Sequence, residues 1–228
     1  MRRVFGLMAV VLIAAMGCAT TQRQEVEEHP GICAFLGEAC QELQPGASGQ
    51  ASLRWVNPNA QPAGYSKVIV EVVGFFGSDP AKVSFTDEQM LTDLFYKTLN
   101  DELAKRYQIV DQPGPGVARI QVAILDAEAA TRGARSVTMV VPQLRVLTTG
   151  TSLVTGRYPF SGGGEAIAKV SDSVTGQIIA AGVDRRSGGG SIRVAAQWQW
   201  GDAANAIQKW SELITNGLYA YTSGARKP

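Results

Sequence analysis

The sequence predicts an α+β fold: a mostly antiparallel sheet with two main helices packed on one face. Three observations predict it. Short stretches near 68–72 and 120–124 alternate apolar and polar side chains, the period-two signature of strands. Residues 165–184 read as two strands around a turn-rich pentapeptide, a hairpin signal. Two stretches, 91–103 and 207–221, carry apolar residues at three- and four-residue spacing, the stripe of a surface helix. Strands mixed with two segregated helices argue against a doubly wound sheet.

The elements follow in order. From Ser66, Val68, Val70 and Val72 alternate with Lys67, Ile69 and Glu71, and the strand is expected to stop at Gly74–Gly77. Thr86 is the expected helix cap, with Gln89 three residues later completing a capping box. Leu91, Leu94, Phe95, Thr98, Leu99 and Leu103 then line one stripe. Tyr107–Val110 reads as a short strand, closed by Pro113-Gly114-Pro115-Gly116. Ile120, Val122 and Ile124 share one face of the next strand, opposite Arg119 and Gln121. Residues 139–148 read as a short helix or strand leading into an ordered, glycine-rich loop. Glu165–Ser171 and Gln177–Asp184 pair around Asp172-Ser173-Val174-Thr175-Gly176. Asp202 is the expected cap of the last helix, whose stripe is Ile207, Trp210, Ile214, Leu218 and Tyr221.

The 228 residues suffice for one ordinary domain plus extras, and 45% apolar content suffices for its core. Met-Arg-Arg, an apolar run from Val4 to Met16, and Gly17 before Cys18 describe an export signal over residues 1–17. That run is shorter than the ~20 residues a bilayer span needs. Removing Arg2 and Arg3 with the signal turns a net charge of +1 into about −1. Such a balance offers no footprint for nucleic acid.

Ala15-Met16-Gly17-Cys18 resembles a lipobox, Gly17 and Cys18 matching and Ala15 and Met16 departing from the usual pattern. The resemblance implies an acylated Cys18 as the membrane anchor, and Ala19 after it implies sorting to the outer membrane, on its periplasmic face. Several acyl chains anchor stably where one does not. Residues 18–32 are polar and without period and read as a lipidated tether; 33–228 read as a single α+β domain. Export leaves Cys33 and Cys40 in an oxidising compartment, where the pair is read as a disulfide. It closes an eight-residue loop worth ~2.5 kcal/mol of loop entropy.

Phe35-Leu36-Gly37-Glu38, Tyr65-Ser66-Lys67, Pro113–Gly116, Asp172–Gly176 and the tryptophan-rich start of the last helix, in that order, resemble an uncharacterised bacterial lipoprotein family, domain of unknown function 3313, over roughly residues 33–222. Gly37-Glu38-Ala39 stands where that family tends to have Asp-Tyr, and Cys33 and Cys40 where Ser or Gly is usual. The resemblance implies an address and a fold, not a reaction.

The chemistry-bearing residues are few. The lone histidine, His29, lies in the polar stretch, so a Ser-His-Asp set has no base. No Cys/His/Asp group has metal spacing, and no cofactor is expected. Gly162-Gly163-Gly164 and Gly188-Gly189-Gly190 lack the Gly-Lys-Ser/Thr ending of a phosphate loop. Asp126 with Glu128, and Asp172 with Asp184, offer glycosidase-like carboxylate pairs but read more simply as turn and solvent positions. Arg132, Arg135, Arg185, Arg186 and Arg193 are a candidate binding rim for carboxylates or phosphates, as on peptidoglycan or lipid headgroups, against the plainer reading of a solvated edge. The function expected is a non-enzymatic binding or envelope-accessory module with a protein or peptidoglycan partner. The alternative is a carrier of a small apolar ligand or lipid, with 137–164 as the pocket wall.

Overall fold

The computed structural model describes residues 21–61, 64–77, 82–130, 162–188 and 199–224. The signal, Cys18, Arg132, Arg135, Arg193, Trp198 and the segment expected near 139–148 lie outside them. Among the described residues the sheet has nine strands, in the order β2-β3-β9-β8-β7-β4-β6, with β1 added to β9 and β5 to β7. These are β1 (Gln22–Gln24), β2 (Gln44–Pro45), β3 (Leu53–Val56), β4 (Lys67–Val70), β5 (Gly74–Phe75), β6 (Gln108–Ile109), β7 (Val117–Glu128), β8 (Gly163–Asp172) and β9 (Ile178–Ser187). Three helices accompany them: α1 (Gly31–Leu36), followed by a 3₁₀ turn over Gly37–Cys40, then α2 (Phe85–Leu103) and α3 (Gly201–Thr222).

The middle of the sheet is antiparallel, β7 to β8 and β8 to β9. The β8–β9 turn forms where Asp172 Oδ1 accepts from the Val174 and Thr175 amides at 3.0 and 2.7 Å. Gly176, at φ 73°, takes the left-handed position there without a Cβ penalty. On the other side, β4 runs parallel to both β6 and β7. Parallel neighbours need a crossover, and α2 supplies it.

Both main helices pack on one face, as predicted. Leu91, Phe95, Leu99 and Leu103 of α2 and Ile207 and Trp210 of α3 bury against Val68, Ile120, Val122 and Ile124. The rings of Phe95 and Trp210 meet at 5.8 Å. The opposite face is covered as well, which the sequence reading did not foresee. There α1 and the 3₁₀ turn lay Leu36 and Ala39 over Ala123, Leu125, Ile167, Ala181 and Val183. The Cys33–Cys40 disulfide, with Cα atoms 5.0 Å apart, closes this short cover.

Several local expectations are corrected. Ser84, not Thr86, caps α2: its side chain accepts from the Asp87 amide at 3.2 Å, and its extended backbone suits the cap position. Asp202 sits inside the first turn of α3 and accepts from the Gly162 amide at 2.8 Å, so it ties the helix to the sheet rather than capping it. The first strand ends at Val70, and Val72 falls in the break before β5, exposed. Leu94 is only partly buried, because the α2 stripe follows Leu91, Phe95, Leu99 and Leu103.

The polar stretch expected to be a tether is docked from Thr21 onward. β1 pairs antiparallel with β9, Gln22 opposite Ser187 and Gln24 opposite Arg185. The backbone hydrogen bonds missing from a free coil are made here by the edge of β9, so period and apolarity were not required.

Candidate functional site

The buried charges among the described residues gather at the end of the sheet where β7 finishes, β8 begins and β9 finishes. Glu165 of β8 stands directly opposite Arg185 of β9. Both are buried, Glu165 to 1% and Arg185 to 7% exposure. Arg185 Nη1 lies 3.5 Å from Glu165 Oε2, and Nη2 lies 2.8 Å from Glu128 Oε1, 3.0 Å from Glu27 Oε1 and 3.8 Å from Asp126 Oδ2. Glu165 Oε2 also accepts from the Glu27 amide at 3.0 Å. Burial pushes the Glu165 carboxyl above its usual range, and the Glu27 amide and Arg185 pull it part of the way back.

A second cluster forms on the other face of the same strand end. Asp184 Oδ1 accepts from the Ser52 amide and hydroxyl at 2.7 and 2.9 Å. Its Oδ2 accepts from Arg186 Nε at 2.5 Å and Trp210 Nε1 at 3.1 Å. Arg186 Nη1 reaches Thr21 Oγ1 at 3.2 Å. With Arg23 Nη1 on the Gly46 carbonyl at 2.9 Å and Gln24 Nε2 on Ser187 Oγ at 2.9 Å, the charges clip the N-terminal strand to the sheet.

Chemically, these groups are committed to one another. A buried arginine whose two outer nitrogens face four carboxylates is not offered to a ligand phosphate, so Arg185 and Arg186 are not the exposed rim the sequence suggested. They are buried because β1, Glu27 and Ser52 close over the end of β9. Asp184 and Glu165 are likewise interior, whereas Asp172 forms the turn predicted for it. The Thr175 amide, its largest influence, holds the Asp172 carboxyl below the usual range. Asp172 Oδ2 in turn accepts from Tyr65 OH at 3.0 Å, and burial first, then Asp172, push the Tyr65 phenol up to about 12.

The glycines at 162–164 are explained by packing rather than by phosphate. A Cβ on Gly163 would stand 2.2 Å from the Arg186 carbonyl oxygen, and one on Gly164 3.3 Å from Trp210 Cη2. Among the described residues no group of His, Cys, Asp or Glu could hold a metal ion, and no helix is long and apolar enough to cross a membrane. The recess lined by Leu91, Ile124, Ala127, Gly164, Ile207 and Trp210 leaves no room for a water molecule.

Residues 34–214 match the family described as protein of unknown function DUF3313. The chain belongs to DUF3313. The match starts at Ala34, so β1 and the clipped segment before α1 precede it. No curated protein matches this DUF3313 chain. Solved structures that align with the chain include the PelC dodecamer from Paraburkholderia phytofirmans, at 10% identity and TM-score 0.39 over 71% of this chain and 96% of that one. Protein XCC0632 from Xanthomonas campestris, of the family DUF330, aligns at 11% identity and TM-score 0.40 over 75% and 91%. Hypothetical protein CT253 from Chlamydia trachomatis aligns at 8% and 0.38 over 70% and 99%.

Proposed function

We propose that this DUF3313 protein is an exported lipoprotein, held on the periplasmic face of the outer membrane by an acylated Cys18, and that it serves there as a non-enzymatic binding or accessory module of the envelope. The observation that carries the reading is Gly17-Cys18 directly behind a basic start and a short apolar run. The Cys33–Cys40 disulfide supports it, since such bonds persist in exported proteins and are rare in reducing compartments. The mutual engagement of the buried carboxylates and arginines supports a structural use for the charged groups at the sheet end. The pocket wall expected for a carrier of an apolar ligand or lipid, 137–164, lies outside the described residues except for 162–164.

Membrane flotation followed by density separation of inner and outer membranes tests this proposal. The parent is expected with the outer membrane and Cys18→Ser in the soluble fraction or as uncut precursor. Equal partitioning of the two proteins would overturn the anchor, and parent protein in the inner membrane would overturn the sorting.

A further inference from the structure

The docking of β1 fixes how far the domain can stand from its anchor, and this inference rests on the lipid-anchor reading above. Buried Arg186, 6% exposed, holds Thr21 Oγ1 at 3.2 Å. Only Ala19 and Thr20 separate Thr21 from Cys18. At ~3.6 Å per residue the Cys18-to-Thr21 step spans about 11 Å when fully extended. An acylated cysteine sits at the boundary of hydrocarbon and headgroups, and each headgroup layer is ~5–8 Å deep. Thr21 is therefore held in or just above the headgroups.

Where Thr21 lies in the fold then orients the rest. Gln22 pairs with Ser187, Ser187 with Gly163, and Gly163 with Glu128, so these residues form one end of the sheet. The helices begin at the same end. The Ala130 amide donates to the Gln199 carbonyl at 2.8 Å, and Trp200 Nε1 donates to Asp87 Oδ1 at 2.9 Å, which brings the starts of α2 and α3 together there. Phe85, the first residue of α2, is 81% exposed. That is a costly place for a phenyl ring in water and a favourable one in a membrane interface. Phe85 lies in the helix layer, off the strand that carries the anchor. Thr21 and the Phe85 ring are thus two separate points at one end. The β8–β9 turn, Ser173–Gly176, lies at the far end, roughly 30 Å away along the strand at ~3.3 Å per residue.

We infer that the sheet end marked by Thr21, Glu128, Gly163 and Ser187 faces the phospholipid headgroups, with the exposed Phe85 ring reaching them, and that the β8–β9 turn points into the periplasm. Exposed apolar residues alone do not decide this, because Val174 in the far turn is exposed as well. The two-residue linker decides it.

The test uses the lipidated full-length chain in vesicles of phosphatidylethanolamine and phosphatidylglycerol that carry a quencher on the lipid headgroup. A fluorophore is attached at Ala129→Cys, exposed at the anchored end, or at Val174→Cys at the far end. Several-fold stronger quenching at 129 than at 174 is expected. Equal quenching, or stronger quenching at 174, in protein that floats with the vesicles overturns the orientation and leaves the anchor standing. If the lipidation-competent chain fails to float at all, the anchor reading and this inference fall together.

Discussion

Replacing Arg185 with methionine should destabilise the protein more than any exposed charge change, and acid should partly cure the loss. Arg185 is 7% exposed and lies between Glu165, Glu128, Asp126 and Glu27. Methionine keeps much of the volume and removes the charge. Glu165 is then left buried with one fewer partner, the situation in which breaking a buried pair costs ~3–5 kcal/mol. Glu27 is largely exposed and adds little to that figure. With a urea dependence of ~2 kcal/mol per molar, the unfolding midpoint at pH 7 should fall by roughly 2 M. The sign with pH follows from the raised Glu165 carboxyl. A carboxyl whose folded pKa is raised contributes stability that is full below its unfolded value and is lost as pH rises through the folded value. Loss of Arg185 raises it further, so the variant should regain stability relative to the parent as the pH is lowered from 7 towards 5. Adding Glu165→Gln should recover part of the loss at pH 7. Urea titrations of the soluble Cys18→Ser form, with and without Arg185→Met, measure this. Coincident midpoints at pH 7, or a gap that widens on acidification, would refute the reasoning.

Other outcomes follow from the same structure. Trp210→Ala should cost ~3–5 kcal/mol, since a buried ring against Phe95 is lost. Trp210→Phe should cost ~1–3 kcal/mol, because it strips the Nε1 donor from buried Asp184; thermal melts rank the two. Lys209→Ala should stay within ~0.5 kcal/mol, its ion pair with Glu212 being only partly buried. Glu102→Ala should cost up to ~1 kcal/mol, because Glu102 accepts from both Lys105 and Gln208 and so links α2 to α3. Protein purified without reductant should resist alkylation at Cys33 and Cys40, and Cys33→Ser with Cys40→Ser should lower stability by ~2.5 kcal/mol or less.

The elements with a strong period were legible in the sequence: α2 and α3, β7, and the β8–β9 hairpin. Apart from the Cys33–Cys40 pair, the stretch before β4 was not. β1 and β2 are strands of three and two residues without apolar alternation, and their pairing comes from the open edges of β9 and β3 rather than from a pattern of their own. The charged cluster was hidden by two bulges. Counting back from the Asp172–Gln177 turn with strict alternation puts Glu165 opposite Asp184, two like charges. The register shift after Val170, with Ile179 as the extra residue, puts it opposite Arg185 instead. In β7, strict alternation would place Asp126 and Glu128 on the helix face with Ile120, Val122 and Ile124. The shift between Ile124 and Asp126 turns both towards Arg185 and sends Ala127 to the helices. A one-residue slip reverses every side chain beyond it, and no residue in either stretch announces the slip. The arginines were therefore legible as a pair and illegible as buried.

Cys18 is proposed as the anchor of a folded envelope domain that Arg186 clips at Thr21. Intact mass measurement of the protein extracted from membranes tests it most directly. The expected mass is that of a chain beginning at Cys18 that carries a diacylglyceryl group and an N-acyl chain, with Cys33 and Cys40 oxidised. A mature chain that starts elsewhere, or one in which Cys18 carries no lipid, would contradict it.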